Sequence, residues 1–426
     1  MTASQGTSAT PGEARRAIDA VWRIESARLI AGLARMVRDV GLAEEFAQDA
    51  LVAALEQWPA QGVPDNPGAW LMSTAKRRAI DHFRRRETLN RKVDELGHEL
   101  RTTGEGFVPD FDAALEDIND DLLRLMFTAC HPVLSTEARV ALTLRLLGGL
   151  TTDEIARAFL APEATVAQRI VRAKRTLTKA GIGLDAPSGP ERAERLSSVL
   201  EVIYLIFNEG YSATAGDDWM RPALCEDALR LGRVLAGVAP AEPEVHGLVA
   251  LMEIQASRTH ARHGPDGEPV LLLEQDRSRW DQLLIRRGLE ALEHALRLTP
   301  DPGPYALQAA IAACHARART PGETDWRAIA ALYAHLATVA PSPVVELNRA
   351  VAISMADGPA AALALVDELT AEPALRSYHL LPSVRGDLLT KLGRHDEARE
   401  EFLRAASLTR NERERTLLLD RADAAT

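Results

Sequence analysis

Apolar residues recur at intervals of three and four along nearly the whole chain, and alternating runs bounded by turn residues are rare. This spacing places apolar side chains on one face of an α-helix. The clearest example has spacings of 0, 3, 4, 7, 8 and 11: Leu196, Val199, Leu200, Ile203, Tyr204 and Phe207. Gly210 follows and predicts the end of that helix. The pattern predicts an all-α protein.

Composition sets the size and class of the fold. The chain has 426 residues, of which 46% are apolar and 4% aromatic. This suits two or three globular domains of about 100–200 residues each and excludes collagen-like, disulfide-scaffold and disordered classes. The cysteines, Cys130, Cys225 and Cys314, form no CxxC pair, which argues against a disulfide framework and a cysteine-rich zinc site. We expect no metal and no cofactor.

No targeting segment is recognisable. The first sixteen residues lack the basic start and apolar core of a signal peptide. The longest apolar run, residues 202–207, is far shorter than the ~20 residues that span a membrane. We expect a soluble, cytoplasmic protein with no membrane partner.

The formal net charge of −11 is unevenly distributed. Residues 67–92 carry +6 and residues 139–181 carry +5, whereas residues 93–121 carry −9 and residues 182–426 carry −10. DNA binding depends mainly on Lys and Arg side chains that neutralise phosphates. Because of the two basic blocks, DNA is not excluded as a partner, although the net charge of the whole chain argues against it.

Clusters of Gly, Pro and acidic residues break the helical pattern at residues 58–68, 93–121 and 181–191. The first predicts a loop inside a domain, and the other two predict linkers. We expect domains at residues 14–92, 122–181, 191–290 and 291–426, with residues 93–121 as an acidic linker.

The first basic block covers residues 69–88. On a helix, one face would pack against a core and would carry Trp70, Thr74, Ala75, Ala79 and Phe83. The opposite face would carry Lys76, Arg77, Arg84 and Arg85. Such a surface tracks DNA phosphates. A solvated basic helix is the alternative.

The second basic block contains a helix-turn-helix pattern. One helix continues through Leu146, Gly148 and Gly149 break it, and Thr151 or Thr152 caps the next helix. Pro162 suits the first position of a third helix, which has the apolar stripe Val166, Ile170, Ala173 and Leu177. That helix would enter a major groove by its N-terminal end. Candidate base-reading residues are Glu163, Thr165, Gln168 and Arg169, and candidate phosphate contacts are Arg172 and Arg175. A helical hairpin with a solvated basic face is the alternative.

Residues 43–51 and the two basic blocks, in that order along the chain, resemble segments of the extracytoplasmic-function (ECF) sigma factors of bacterial RNA polymerase. The resemblance covers roughly residues 14–181. Residues 43–51, AEEFAQDAL, are similar to the family's region 2 segment. The helix that opens the −10 element is matched by Trp70-Leu71, Ala75, Ala79-Ile80-Asp81 and Arg84-Arg85. Residues 134–177 match region 4, the helix-turn-helix of the −35 element.

The resemblance implies RNA polymerase core and promoter DNA as partners. Contacts with the core's clamp helices are implied for Glu44, Glu45, Gln48, Asp49 and Leu51, and the polymerase flap is a further expected contact. Contacts with the −10 element are implied for Asp65, Asn66, Trp70, Lys76, Arg77, Arg84 and Arg85. Asp65 and Asn66 lie in the variable loop, residues 59–67, where the family holds an unstacked base. Structural turn residues are the alternative for these two.

Three positions depart from the family pattern. Arg77 stands where the family usually has Asn, and Ala167-Gln168 replaces a Lys-Ser pair. Phe159-Leu160 lacks the usual turn glycine.

The acidic second half exceeds a minimal member of the family. Segments such as LIFNEGYSATAGDDWMRPALCEDALRL resemble the long subgroup that carries a C-terminal tetratricopeptide-like domain, which is thought to govern activity in cis. One such repeat is predicted by the spacing of Gly386, Leu389, Leu392, Gly393, Ala398, Phe402 and Ala405. Ordinary antiparallel helix pairs are the alternative.

A regulatory contact is a hypothesis for one motif in this half. Asn208, Glu209 and Tyr211 would touch the sigma modules, a protein partner or an effector, although a helix cap and turn is the alternative. No spacing matches a zinc helix, a calcium loop or a nucleophile elbow, and His260 and His263 are interpreted as surface residues. We therefore expect no catalytic residue.

Three functions remain open from the sequence. The first is a promoter-specificity subunit of RNA polymerase, regulated by its C-terminal half. The second is a helix-turn-helix regulator that senses an effector and needs no polymerase, and residues 44–51 discriminate the two because only the first requires them. The third is a DNA-targeted enzyme in residues 190–426. The acidic linker is either a spacer or a nucleic-acid mimic that uses Asp110, Asp112, Glu116 and Asp117.

Overall fold

The computed structural model describes residues 11–96, 118–184, 187–212, 220–264 and 268–425. Within these ranges the chain forms eighteen α-helices and no β-strand, so the all-α prediction is confirmed. The helices belong to two compact units, Met1–Val202 (unit 1) and Ile203–Thr426 (unit 2).

The described part of unit 1 contains seven complete helices: α1 (Pro11–Val37), α2 (Val40–Gln61), α3 (Pro67–Leu96), α4 (Ile118–Ala129), α5 (Thr136–Leu146), α6 (Thr152–Ala158) and α7 (Glu163–Lys179). The division between the units falls inside α8 (Gly189–Tyr211). Small side chains let α2 approach its neighbours closely, because Ala47, Ala50 and Ala54 are fully buried. Leu33 of α1 and Leu71 of α3 complete this part of the core.

Two predicted breaks are shorter than the composition suggests. Helix α2 continues through Pro59 to Gln61, so the loop before α3 is limited to residues 62–66. After α7, Thr128 Oγ1 donates to the carbonyl oxygen of Gly183 at 3.1 Å, and Arg124 donates to that of Leu184 at 3.3 Å. Part of the predicted second linker is therefore held against α4.

The acidic segment is helical at both ends. Helix α3 extends to Leu96 and α4 begins at Ile118. The residues of the mimicry hypothesis, Asp110, Asp112, Glu116 and Asp117, lie outside the described residues.

After α8, the residues of unit 2 that the structure describes form ten helices: α9 (Pro222–Val238), α10 (Pro243–Ala256), α11 (Gln282–Leu298), α12 (Pro304–Arg317), α13 (Trp326–Val339), α14 (Pro343–Asp357), α15 (Pro359–Leu369), α16 (Leu380–Lys391), α17 (His395–Leu408) and α18 (Glu412–Ala424). Short 3-10 turns lie at Thr259–Ala261, Arg277–Arg279, Pro321–Glu323 and Pro373–Leu375.

The repeat predicted near the C-terminus is the helix pair α16–α17. A Cβ atom on Gly386 would lie 2.8 Å from the ring of Phe402, so the glycine lets the two helices touch. Leu389, Ala398 and Ala405 are fully buried in the same seam. The small and large positions of the predicted repeat therefore meet between two antiparallel helices.

The helix predicted to end at Gly210 ends one residue later. Helix α8 continues to Tyr211, and Gly210 lies in its last turn. A Cβ atom on Gly210 would lie 2.7 Å from the backbone nitrogen of Cys225. The glycine is needed for close packing with α9, which sequence spacing does not distinguish from a stop signal.

Candidate polymerase and promoter interfaces

The predicted polymerase contact lies on α2 and divides into two faces. Glu45 and Asp49 are exposed four residues apart, and Leu51 is half-buried. Val52 lies one turn beyond Asp49 and is 52% exposed. This combination of two carboxylates and a bare apolar side chain suits a protein contact. Val52 is not among the predicted contacts, although an apolar residue three positions after Asp49 was its signal.

Glu44 lies on the other face of α2 and is 4% exposed. Its Oε1 atom accepts from Arg145 Nε of α5 and from Gln48 Nε2, both at 2.6 Å. Its carboxylate also forms an ion pair with Lys174 of α7. The first residue of the predicted polymerase contact is thus enclosed by two cations from the helix-turn-helix.

Two further ion pairs join the same parts of unit 1. Arg23 of α1 donates to Glu154 of α6 at 3.1 Å, and Arg35 of α1 to Asp121 of α4 at 3.4 Å. Burial raises the pKa of Asp121, and Arg35 opposes that rise. Burial would also raise the pKa of Glu154, but hydrogen bonds from Thr151 and the Arg23 charge hold it below its usual value. The Arg23–Glu154 pair therefore joins α1 to the helix-turn-helix, and the Arg35–Asp121 pair joins α1 to α4, the helix that precedes it.

Helix α3 presents the predicted basic surface. Arg77, Arg84 and Arg85 are exposed and Lys76 is half-buried, while Ala75 and Ala79 are fully buried. Alanines on the inner face and arginines on the outer face are the arrangement that the helical spacing predicts.

A cavity of about 300 Å³ lies between α2 and α3 beside this basic face. Its lining residues are Ala53, Gln57, Trp70, Thr74, Arg77, Arg78 and Asp81. The ring of Trp70 packs edge-on against Trp58 with 5.3 Å between centroids, which fixes its position. Arg78 and Asp81 were not among the predicted DNA contacts. Arg78 lies four residues after Thr74, which lies four after Trp70, and Asp81 lies four residues after Arg77. This i, i+4 spacing along one helix face was the signal for both.

The two predicted loop residues do not line this cavity. Asn66 Oδ1 accepts from the backbone nitrogen of Ala69 at 3.1 Å, so Asn66 caps the start of α3. Asp65 is exposed in the loop.

The helix-turn-helix is formed by α5, α6 and α7. Thr151, not Thr152, caps α6, and it forms a capping box with Glu154. Pro162 precedes α7 as its N-cap, one residue before the predicted position. The apolar stripe is confirmed, since Val166, Ile170, Ala173 and Leu177 are all buried.

The outer face of α7 holds the candidate DNA contacts. Glu163, Thr165, Gln168, Arg172 and Arg175 are exposed, and Arg169 is half-buried. Leu160 in the preceding turn has a φ of 48°, which is the left-handed conformation. The chain therefore adopts a glycine-like backbone at the turn where the family's glycine is missing, at a cost of about 1–2 kcal/mol.

The predicted regulatory motif, Asn208, Glu209 and Tyr211, lies in the last turn of α8 and belongs to unit 2. Glu209 forms an ion pair with Arg221. The hydroxyl of Tyr211 accepts from Arg258, and its carbonyl oxygen accepts from Arg262 at 2.6 Å. Asn208 and Tyr211 line a cavity, whereas Glu209 does not.

The described residues contain neither a cluster of metal ligands nor a helix that could span a membrane. Across the described ranges, no three His, Cys, Asp or Glu side chains are grouped so that they could hold a metal ion. None of the helices in those ranges combines the length and hydropathy that crossing a bilayer requires.

Family models match three stretches of the chain. Residues 24–88 match sigma-70 region 2, and residues 124–177 match sigma-70 region 4. These stretches cover α2, most of α3 and the helix-turn-helix. The chain belongs to the ECF sigma factors. Residues 195–296 of this sigma factor match a family of unknown function, DUF6596, so its second half has a relative with no assigned activity.

The individual relatives include two ECF sigma factors and one protein whose name gives no function. The sigma factor is 45% identical over 381 residues to an uncharacterized protein of Rhizobium meliloti, covering 89% of each chain. It is 27% identical to the probable ECF RNA polymerase sigma factor SigI of Mycobacterium tuberculosis, over 41% of this chain and 59% of SigI. It is also 27% identical to the ECF RNA polymerase sigma factor SigK of a Mycobacterium species, over 36% of this chain and 77% of SigK.

One solved structure resembles this sigma factor weakly. It is a tetratricopeptide repeat protein from Parabacteroides merdae, with 15% identity, coverage of 64% of this chain and a TM-score of 0.34. A score of this size adds nothing to the assignment.

Proposed function

We propose that this sigma factor directs core RNA polymerase to specific promoters through three surfaces of unit 1. The exposed face of α2 binds the clamp helices of the largest subunit, α3 and its cavity hold the melted −10 element, and α7 reads the −35 element. The reaction belongs to the polymerase, so the chain contributes no catalytic residue. We place it in the bacterial cytoplasm, where promoter DNA and polymerase lie.

The observation that carries this proposal is the pairing of two different surfaces in one unit. Promoter DNA requires the arginines of α3 and α7, whereas DNA does not attract the exposed carboxylates of Glu45 and Asp49. An acidic face with a bare valine favours a protein partner. A polymerase-independent regulator would have no use for it.

Run-off transcription with core polymerase tests the proposal. Glu45→Ala and Asp49→Ala should each lower core-dependent transcription without changing DNA binding, and Asp19→Ala, an exposed carboxylate on α1, is the matched control. Arg172→Ala should weaken promoter binding at the −35 element, with Arg327→Ala in unit 2 as its control. Normal transcription by the Glu45 and Asp49 variants, or transcription in the absence of core, would overturn the polymerase contact on α2.

The region 2 helices and the helix-turn-helix, which we call the two sigma modules, are in contact. This contact supports a closed state of the protein when no polymerase is bound. The numbers −10 and −35 are positions along the DNA, so the two elements lie about 25 base pairs apart. This is roughly 85 Å at about 3.4 Å per base pair. Modules joined by the Glu44–Arg145 contact cannot reach both elements on straight DNA. We propose that polymerase binding separates them, and that free protein consequently binds promoter DNA weakly.

A covalent bridge tests this opening. Arg23→Cys and Glu154→Cys, combined with Cys314→Ser, allow a short bismaleimide to join the two modules. The bridged protein should lose transcription, while each single-cysteine variant treated with the same reagent should retain it. Full activity of the bridged protein would show that opening is unnecessary.

We also propose that unit 2 governs the activity of unit 1 in cis. Its support is the acidic charge of residues 182–426 and the relative that spans 89% of the chain, so the extension is shared beyond this sequence. A truncation should end at Val202, because Arg139 donates to Ser198 at 2.6 Å and to Glu201 at 2.9 Å. Equal transcription by the truncated and full-length proteins would contradict regulation in cis.

A further inference from the structure

Unit 2 contains a cavity of about 460 Å³ whose walls come from six helices and the segment between α10 and α11. This volume lies within the range of small-molecule sites in proteins. Its lining residues are Tyr204, Phe207, Asn208, Tyr211, Leu251, Ile254, Gln255, Arg258, Leu272, Trp280, Gln308, Ile311, Ala312, His315, Tyr333, Asn348 and Leu380.

Aromatic side chains are concentrated around this cavity. They make up only 4% of the chain, yet five of the seventeen lining residues are aromatic: Tyr204, Phe207, Tyr211, Trp280 and Tyr333. The rings of Phe207 and Tyr211 are stacked with 5.6 Å between centroids, and the guanidinium carbon of Arg262 lies over the Tyr211 ring, 3.6 Å from its centroid. The remaining rings of the lining, those of Tyr204, Trp280 and Tyr333, suit an aromatic ligand.

The charge of the lining is positive. Arg258 is the one charged side chain among these lining residues, which include no carboxylate. Its guanidinium carbon lies 5.8 Å from the ring centroid of Tyr211 and 5.7 Å from that of Trp280. Arg277 lies behind Trp280, 5.1 Å from the ring centroid. An anion in the cavity would face a fixed cation with a second one nearby.

Three polar groups of the wall have no hydrogen-bond partner among the described residues. They are Trp280 Nε1, Arg258 Nε and His315 Nδ1. Trp280 is 3% exposed and His315 9% exposed, so solvent does not replace the missing partners at the surface. Buried polar groups are normally paired, because each unpaired group costs about 1–3 kcal/mol. Two of the three groups are obligate N–H donors.

We propose that this cavity binds a small organic monoanion with an aromatic body. The anionic group, a carboxylate, pairs with the guanidinium of Arg258, and the ring lies among Tyr204, Trp280 and Tyr333. The amide of Asn348, which also lines the cavity, contacts the remaining polar atoms. The proposal deepens the regulatory role proposed for unit 2, since Asn208 and Tyr211 of the motif singled out by sequence line the cavity.

Binding is measured on the full-length protein without polymerase or DNA, so its result does not depend on the proposed transcription function. The probes are phenylacetate, 3-phenylpropionate and indole-3-acetate, each compared with its own neutral amide in ligand-observed NMR titrations. At least one acid should bind, and its amide should bind at least about tenfold more weakly. Absence of binding by all three acids, or equal binding of acid and amide, would overturn the proposal.

Variants place the bound acid in the cavity. Arg258→Gln removes the charge and should raise the dissociation constant by at least about tenfold. Ala312→Met fills the cavity with a flexible side chain and should have a similar effect while leaving Arg258 in place. The control, Arg327→Gln, removes an exposed arginine of the same unit and should leave the dissociation constant unchanged. Thermal unfolding of each variant checks that the fold is retained.

A peptide arm distinguishes the source of the carboxylate. A ten-residue peptide that ends in a free phenylalanine carboxylate is titrated beside the three acids. If only the peptide binds, the assignment to a small molecule is overturned and the cavity is a peptide site. If the acids bind and both cavity variants weaken them, the small-molecule site is established.

Discussion

Two helix contacts, one in each unit, differ in what joins them. In unit 1, ion pairs connect the region 2 helices to the helix-turn-helix, and Glu44 with Arg145 and Lys174 is the most buried of them. In unit 2, the α16–α17 pair is held mainly by an apolar seam in which Gly386 lies against Phe402, with the ion pair of Arg385 and Glu401 beside it. Ion pairs can be exchanged for water or a new partner at low cost, whereas a close-packed apolar seam cannot. This difference agrees with the proposed separation of the two sigma modules in unit 1. It also agrees with a unit 2 whose packed helices keep the shape of its cavity.

The largest expected effect is in the apolar seam of unit 2. Phe402→Ala should lower the free energy of unfolding of this unit by about 3–5 kcal/mol, because a fully buried ring leaves a cavity against Gly386. Urea denaturation followed by circular dichroism measures the change. The neighbouring Leu403 is exposed, so Leu403→Ala should cost much less. Similar losses for the two variants would contradict the difference between the seam and the surface of α17.

The ion pairs of unit 1 are the next test. Glu44→Gln keeps the size of the side chain but removes its charge from Arg145 and Lys174. Both cations remain about one-fifth exposed, so we expect a loss of about 1–3 kcal/mol, less than for a fully buried pair. Free full-length protein should then bind promoter DNA more tightly, which fluorescence anisotropy measures.

The control for this variant is the exposed pair of Asp153 and Arg157 on α6. Asp153→Asn should change stability by less than about 0.5 kcal/mol and leave DNA affinity unchanged. Unchanged DNA affinity of Glu44→Gln would contradict a closed free state.

The cap of α6 is a smaller contribution within unit 1. Thr151→Ala removes the side chain that accepts from the backbone nitrogen of Glu154 and should cost about 1 kcal/mol. Thr152→Ala changes the adjacent residue, which does not cap the helix, and should cost less. Chemical denaturation of the two variants decides between them, and a larger loss for Thr152→Ala would show that the cap is misassigned.

The smallest expected effect is at Leu160. Leu160→Gly relieves the left-handed backbone but increases the freedom of the unfolded chain, so we expect a net gain of roughly 0.5 kcal/mol. Leu160 is 59% exposed, and the lost side chain therefore costs little burial. Ala161→Gly, where φ is not positive, should instead lower stability, and thermal unfolding measures both. A loss at Leu160→Gly as large as that at Ala161→Gly would show that the turn is not strained.

Much of the fold was predictable, because its signals are local. The stripe from Val166 to Leu177 and the cap before α6 depend on residues within one or two turns of each other. Gly210 shows the limit of this approach. A glycine at the end of an apolar pattern predicts a stop, but the same residue type is required where another backbone approaches, and only the position of Cys225 distinguishes the two.

The candidate sites were predictable in part. The exposed positions Glu45, Asp49 and Arg172 were named from the sequence, but Val52 and Arg78 were not. Glu44 and Asn66 were named for contacts with partners, whereas in the structure each is engaged by the chain itself. The site residues therefore remain predictions, and the structure changes which of them the first experiments should address.

The sequence by itself determined the helices, the order of the sigma modules and the basic faces of α3 and α7, because each follows from residues close together in the chain. Only the tertiary structure decided that Glu44 lies between Arg145 and Lys174, more than one hundred residues away. It alone brought Tyr204, Trp280 and Tyr333 to one cavity. Contacts of such long separation depend on the packing of every intervening helix, and no local pattern records that packing.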